Sequence, residues 1–301
     1  MLRIKTILLK LKRHKLFKMD IRYAFSKFIY KLGGAKLNYK LRYFHNRKRL
    51  PNFKDPRDWS ERVLASMLSP SFKKYARFVD KIKVRDYVIE KGLKNILLNH
   101  YGAWKNPKDI NFADLPKKFA LKTNNGVGNH VFCKDKTTFD KKECFRQLEN
   151  NLKVIESVEA NLEPQYKEVV PMVFGEELMD TGTDAWPEDY KFHCINGEPD
   201  HIFVALEREV SVKYGTFDLD WNPLPYTKAE FKPKAYPVKP KYLKEMADIA
   251  RVLSKDFEFV RVDLYEQGDR IIFGELTFSP WGGLMYSYTD ESLKIIGNKY
   301  K

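Results

Sequence analysis

The sequence predicts an α+β protein in which helices come first and a strand-rich body follows. Three observations carry this. Up to Glu90 the apolar positions recur at helical spacing, with stop signals at Gly33–Gly34 and Gly92. From Lys117 onward, short apolar runs alternate with turn signals and amphipathic stretches. With 43% of its 301 residues apolar, the chain can bury the cores of two or three subdomains.

Charge divides the chain. Of its 55 Lys/Arg and 40 Asp/Glu, residues 1–50 hold 16 bases and one acid, Asp20, which leaves 39 of each elsewhere. The net charge of +15 therefore belongs to one segment, and that segment needs its own explanation. Leu2, Ile4, Ile7, Leu8, Leu11 and Leu16 recur at helical spacing among lysines and arginines. Ile21 to Leu32 adds Tyr23, Phe25, Phe28, Ile29 and Tyr30. This basic amphipathic helix (residues 1–52) can dock on the body, or lie on an anionic membrane surface, where each Lys/Arg adds about 1 kcal/mol. Nucleic acid is not expected, because no stacking platform accompanies the charge. Lys5, Lys10 and Lys12 break any signal-peptide apolar run, and no stretch approaches a membrane span. Three cysteines fit neither a disulfide framework nor zinc spacing, so a cytoplasmic setting is expected, with the inner face of the membrane as its peripheral variant.

Residues 53–115 read as a helical subdomain. Asp58 or Ser60 can cap a helix through about Met67, Phe78–Glu90 makes another, and Ile96–Asn99 is a short strand. The body, 116–301, divides near residue 180. Phe119–Thr123 and His130–Cys133 are strands around the Gly loop Asn124–His130, Phe139–Leu152 is a helix, and Glu168–Phe174 a strand. Tyr190–Ile195 and His201–Leu206 flank the turn Asn196–Pro199. Lys241–Ser254 is a helix, and Phe259–Tyr265 with Arg270–Leu276 forms a last hairpin.

Two segments carry chemistry. In the first, Lys122 ends an apolar strand and is followed by Asn124, Asn125, Gly126 and Gly128. Backbone N–H groups of such a loop can close over phosphate oxygens beside an ammonium; the plain alternative is a hairpin turn. In the second, Arg261, Asp263, Glu275 and Thr277 share one strand parity, and Val262, Leu264, Ile272 and Leu276 the other, which would face a core. A three-residue loop at Gly268–Arg270 would set Asp263 opposite Glu275. Opposed carboxylates repel unless a cation sits between them, and Mg²⁺ with nucleotide phosphates suits that place. The alternative is surface charge bridged by Arg261. The next stretch, Thr277–Gly283, has the apolar, glycine-rich make-up of an active-site loop. Glu176 can face an adenine from a hinge strand or be a solvated acid beside Glu177. Lys191 can reach a γ-phosphate or pair with Asp189, and Arg208 is similar. Taken singly, each of these three is better explained as ordinary strand polarity.

The order of these pieces resembles the TupA-like branch of the ATP-grasp proteins, found in bacterial surface-polysaccharide clusters. The resemblance covers about Trp59 to Ile296. It rests on Phe78-Val-Asp-Lys-Ile-Lys-Val-Arg-Asp-Tyr-Val88, Leu115-Pro-Lys-Lys-Phe-Ala-Leu-Lys-Thr-Asn124, Asp189-Tyr-Lys-Phe-His-Cys-Ile-Asn-Gly197, Asp218-Leu-Asp-Trp221, Arg261-Val-Asp-Leu-Tyr265 and Gly274-Glu-Leu-Thr-Phe-Ser-Pro280. It implies an ATP-grasp fold, two α+β subdomains clasping ATP between about 116–180 and 181–301. Lys122 would hold the α/β-phosphates, Glu176 sit near the adenine and Lys191 near the γ-phosphate. Asp263 and Glu275 would bind Mg²⁺, with Thr277 where many members have asparagine. Lys191, Arg208 and Arg261 are the candidate catalytic residues. The implied reaction joins an amino acid or amine to a uronate-bearing glycan through an acyl-phosphate, by positioning and charge neutralisation. The loop departs from the family's pattern, with Asn125-Gly-Val-Gly128 where histidine and serine are expected. Two other functions remain open. One is a glycosyltransferase, for which Asp218-Leu-Asp220 supplies the letters of a metal motif; the other is a non-catalytic membrane-associated assembly factor.

Overall fold

The structure, a computed structural model, describes residues 26–126, 130–153, 162–179, 187–206 and 212–300. The expected amphipathic helix before residue 26 lies outside them.

Helix α1 spans residues 26–47 and bends where a stop was expected, at Gly33–Gly34, with Gly34 at φ 64°. Its buried side chains tie it to the body. Tyr43 Oη donates to Asp58 at 2.6 Å, and the Arg47 guanidinium donates to the carbonyls of Met285 (2.7 Å) and Tyr288 (2.9 Å) and to Asp290 (2.9 Å). Asp58 caps α2 (Trp59–Met67), as expected, accepting from the Glu61 N–H.

The helix expected over Phe78–Glu90 is instead two, α3 (Ala76–Val79) and α4 (Val84–Glu90). Asp80 causes the break. Its backbone is extended, and its carboxylate accepts from the N–H of Ile82 (2.9 Å), a local bond that competes with the helix. Ile96–Asn99 is not a strand either. A 3-10 turn, Lys94–Ile96, occupies part of it, and the strand β1 (His100–Trp104) starts just beyond. Residues 53–115 are therefore not wholly helical.

Two antiparallel sheets organise the rest. The first has the order β1-β4-β2-β3, with β2 (Phe119–Thr123), β3 (His130–Cys133) and β4 (Val173–Glu176). Helix α5 (Lys141–Lys153) packs Cys144 and Leu148 against Phe112, Phe119 and Leu121 on one face. The second has the order β7-β6-β5-β8-β9: β5 (Asp189–Ile195), β6 (Glu198–Leu206), β7 (Lys213–Phe217), β8 (Phe259–Gln267) and β9 (Arg270–Thr277). Asn196 and Gly197, at φ 51° and 80°, make a two-residue primed turn, so β6 begins at Glu198 rather than His201. Phe192, Cys194, Val260, Val262 and Leu264 point to the face covered by α6 (Leu243–Ser254), in a core with Met246, Ala250 and Leu253. Asp189, Lys191, Arg261 and Asp263 take the other face. Helix α7 (Asp290–Gly297) closes the chain against α2.

The β8–β9 hairpin reaches the expected pairing by a different route. Its turn has two residues, Gly268 and Asp269, with Gln267 opposite Arg270. That register alone would slide Asp263 off Glu275. A β-bulge at Gly274 inserts one residue into β9, and Asp263 again faces Glu275. Ile272 consequently pairs with Tyr265, and Phe273 with Leu264. Val262, Leu264, Ile272 and Leu276 are buried as expected.

Thr277–Gly283 is a packing corner, contrary to the active-site loop its composition suggested. Phe278 stacks on Tyr75 with ring centroids 4.1 Å apart, and Trp281 meets Phe203 edge-on at 4.8 Å. Ser60 Oγ donates to the Gly283 carbonyl. Its apolar and glycine content serves close packing against α2.

Candidate active site

A cleft of about 560 Å³ opens between the two sheets. The first sheet supplies Lys122 from β2, His130 from β3, and Phe174 and Glu176 from β4. The second supplies Asp189 and Lys191 from β5, Arg261 and Asp263 from β8, and Glu275 from β9. The break between α3 and α4 adds Lys81, and α4 adds Arg85. Leu97, Leu98, Met179 and Phe273 give it apolar surface.

Strand parity and register create its central feature. Lys191 lies opposite Asp263, and Asp263 opposite Glu275, so three charged side chains cross three strands in one row. The row behind is His193, Arg261 and Thr277. Arg261 reaches forward. Its Nε and Nη2 donate to the two Asp263 oxygens at 2.6 and 2.7 Å, and Nη2 also donates to Glu275 Oε1 at 3.0 Å. Lys191 Nζ donates to Asp263 Oδ2 at 2.8 Å and to Asp189. Thr277 Oγ1 donates to Glu275 Oε1 at 3.0 Å. From outside the sheet, Lys81 Nζ stands 3.9 Å from Glu275 Oε2 and donates to the Gly126 carbonyl.

These contacts set the protonation states. Burial pushes the Glu275 carboxyl up, but Lys81, Arg261 and Lys191 more than reverse this and hold it at about 2. Burial raises the Asp263 carboxyl, against the pull of Arg261 and Lys191. Burial lowers Lys81, and it lowers His130 to about 3 with help from Lys122 and Lys81, so this imidazole stays neutral. Lys122 is paired with Glu176.

Of the residues singled out from sequence, Lys122, Glu176, Lys191, Arg261, Asp263 and Glu275 come together here. Asn124 does not line the cleft. Its amide is spent on Asp80 (3.0 Å), the Val170 carbonyl (3.0 Å) and the Met172 N–H (2.8 Å), which holds the loop's first residue. Asn125 is buried beside it, and Gly126 enters through its carbonyl, as an acceptor for Lys81. Thr277 lies behind Glu275 and does not line the cleft. Gly128 and Arg208 lie outside the described residues. Asp218 caps a surface turn, accepting from the N–H groups of Asp220 (2.9 Å) and Asn222 (2.7 Å), so the Asp218–Asp220 pair stands apart from the cleft.

Sequence reasoning missed Lys81 and Arg85. Both lie in the quoted Phe78–Val88 motif, but a continuous helix there gave neither a reason to face a cleft. Glu177 was also missed. It accepts from Arg270 at the hairpin tip (2.8 Å) and from Asn99 (2.9 Å), joining the two sheets.

The donor set fits one kind of metal. Among the described residues no three His, Cys, Asp or Glu gather to hold an ion alone. Two carboxylates aligned in a cationic cleft match Mg²⁺, which takes one or two carboxylates and completes its shell with phosphate oxygens and water.

No curated protein sequence matches the chain. Among solved structures it is similar to D-alanine–D-alanine ligase from Bacillus anthracis complexed with ATP, at 12% identity and TM-score 0.40 over 73% of this chain and 65% of that one. It is similar to the ATP-grasp ligase PsnB complexed with a minimal precursor, at 11% identity and TM-score 0.37, over 70% and 54%. It is similar too to an ADP complex of purK, N5-carboxyaminoimidazole ribonucleotide synthetase, at 10% identity and TM-score 0.43, over 68% and 46%. The chain thus spans less than two thirds of the length of each. The family match is broader: residues 61–301, which hold both sheets and every cleft residue named above, match the family described as TupA-like ATPgrasp. The chain belongs to the TupA-like ATP-grasp family.

Proposed function

We propose that the protein is an ATP- and Mg²⁺-dependent ligase that joins an amino acid or other amine to the carboxylate of a uronic-acid-type cell-surface polysaccharide or its precursor. The row Lys191–Asp263–Glu275, flanked by Arg261, is the observation that carries this reading. In the reaction, an acceptor carboxylate takes the γ-phosphoryl group of ATP with departure of ADP. An amine then displaces phosphate from the acyl-phosphate, loses a proton and leaves an amide. Mg²⁺ held by Asp263 and Glu275 would offset the charge on the phosphoryl oxygens.

The protein's own groups supply position and charge. Lys122 and Lys81 approach from the first sheet and the α3–α4 break, where they can hold phosphate oxygens as point charges. Arg261 fixes both carboxylates, and Thr277 orients Glu275 rather than serving as a metal ligand. Lys191 stands beside Asp263, placed to neutralise the transferred group. Glu176 and the apolar surface of Phe174, Leu97 and Met179 suit an adenine. Among the described residues lining the cleft there is no serine, threonine or cysteine nucleophile, which agrees with direct transfer between bound substrates. The three cysteines are free and buried, which supports a reducing, cytoplasmic setting.

The test is ADP release by the full chain with Mg²⁺ and a panel of amino acids and uronate acceptors. Asp263→Asn is expected to lower Mg²⁺-dependent turnover by about a thousandfold. No ADP with any pair, or an Asp263→Asn enzyme that keeps its metal-dependent turnover, overturns the proposal. A thermal shift caused by a sugar nucleotide and not by ATP would favour glycosyl transfer instead.

A further inference from the structure

We infer that helix α1 is a docking surface for an anionic lipid bilayer. The inference is independent of the ligase reading, because the family match begins at residue 61 and this element precedes it.

Helix α1 has two faces with different partners. The inward one is used: Ile29, Asn38, Tyr39, Tyr43 and Arg47 are buried, with Tyr39 donating to the Leu162 carbonyl and Arg47 to carbonyls near the chain's end. The outward one is apolar and basic. Beyond the bend at Gly34, Leu37, Leu41 and Phe44 follow at intervals of four and three residues, so they form one stripe, and Lys48 lies just past the end of the helix. Leu41 is 39% and Phe44 48% exposed. Before the bend, Phe28 and Leu32 lie one turn apart at 57% and 63% exposure. Lys31, Lys36 and Lys48, all exposed, accompany them.

The chemistry of the partner follows from what these groups require. Four large apolar side chains held out on one helix need an apolar phase, and the lysines between them need anions. A bilayer with acidic headgroups offers both within a few ångströms. The charge distribution agrees: residues 1–50 carry the protein's whole excess of 15 positive charges, while the remainder is balanced. A nucleic acid would satisfy the lysines but leave the leucine and phenylalanine side chains in water.

The experiment is cosedimentation of the full chain with vesicles of pure phosphatidylcholine and of equal parts phosphatidylcholine and phosphatidylserine. The protein is expected to pellet with the acidic vesicles only, and to be released by salt. The double variant L41S/F44S changes side chains that already face solvent, so its melting temperature should match the wild type. Its partitioning onto acidic vesicles should fall by about tenfold. Replacing Lys31, Lys36 and Lys48 by Glu should lower it at least as far. Equal binding to both vesicle types, no binding to either, or a double variant that partitions like the wild type overturns the inference. So does displacement from acidic vesicles by duplex DNA or RNA, which would make the segment a nucleic-acid contact.

Discussion

Replacing Lys81 with methionine removes the ammonium at the α3–α4 break and keeps most of the side chain's length. Its effect on stability and its effect on nucleotide binding should separate. Glu275 is held at about 2, below its ordinary 4.5, with Lys81 first among the cations responsible. Because the folded value is depressed, the contribution to stability is complete above pH 4.5 and is lost as pH falls through about 2. That interval corresponds to at most about 3 kcal/mol. Glu275 keeps 30% of its side chain exposed, so screening reduces this to about 2 kcal/mol, of which roughly half would go with Lys81. Against this loss stands the cost of burying the ammonium, visible in the lowered value of Lys81 itself, which methionine does not carry. The two terms nearly cancel, and the melting temperature should move by less than about 3 °C at neutral pH. Nucleotide binding has no such compensation. A charge-assisted contact to phosphate is worth about 1.5–3 kcal/mol, so the Kd for Mg·ADP should rise by roughly ten- to a hundredfold. Calorimetric titration gives the Kd, and scanning calorimetry from pH 7 to pH 3 gives the stability, whose loss below about pH 4.5 should be smaller in the variant. A variant that binds nucleotide like the wild type would show that Lys81 only braces Glu275 and would refute the reasoning.

Two further perturbations read other parts of the site. A Cβ added at Gly274 would stand 2.8 Å from the Tyr265 ring and 3.0 Å from the Asp263 carbonyl oxygen. Gly274→Ala should therefore distort the bulge, cost about 1–3 kcal/mol by thermal melting, and lower ATP turnover by more than that loss of stability explains. Unchanged turnover would mean that the opposition of Asp263 and Glu275 is not needed. Burial pushes Glu163 up to about 7, partly opposed by the 2.6 Å bond from Ser279 Oγ and by Arg42. The folded state therefore holds this proton more tightly than the unfolded chain, and stability is drawn down as pH rises from about 4.5 to 7. Glu163→Gln should flatten that part of the stability profile, and an unaltered profile would show that the carboxyl titrates normally.

The legible part of this protein was its periodic part. Asp58 as a cap, Asn196–Gly197 as a turn, and the strands carrying Lys122, Lys191 and Asp263 follow from local chemistry, and the structure has them. What local pattern could not supply was the consequence of contacts distant in sequence. Asp80 turns out of its helix to accept from Ile82 and Asn124, the latter 44 residues away, and only this turn brings Lys81 to the cleft. The residues from Thr277 to Gly283 read as a site because aromatic and glycine residues suit both binding and close packing. Their partners, Phe203, Tyr75 and Ser60, were needed to decide between the two. Asn124 stands out in the sequence by its place at the head of the Gly loop, and its side-chain amide closes that loop onto Val170 and Met172.

The hairpin that carries Asp263 and Glu275 has two irregularities that undo each other. A turn one residue shorter than expected shifts the strands, and one extra residue at Gly274 shifts them back. Only the sum is constrained, so turn length and bulge behave as a single unit of inheritance. Deleting Gly274 while adding one residue between Gln267 and Arg270 should leave the two carboxylates face to face, whereas either change alone should turn one of them to the opposite side of the sheet. Relatives could thus differ in both places and still place their acids alike, a pattern invisible to residue-by-residue comparison and plain once the strands are counted in pairs.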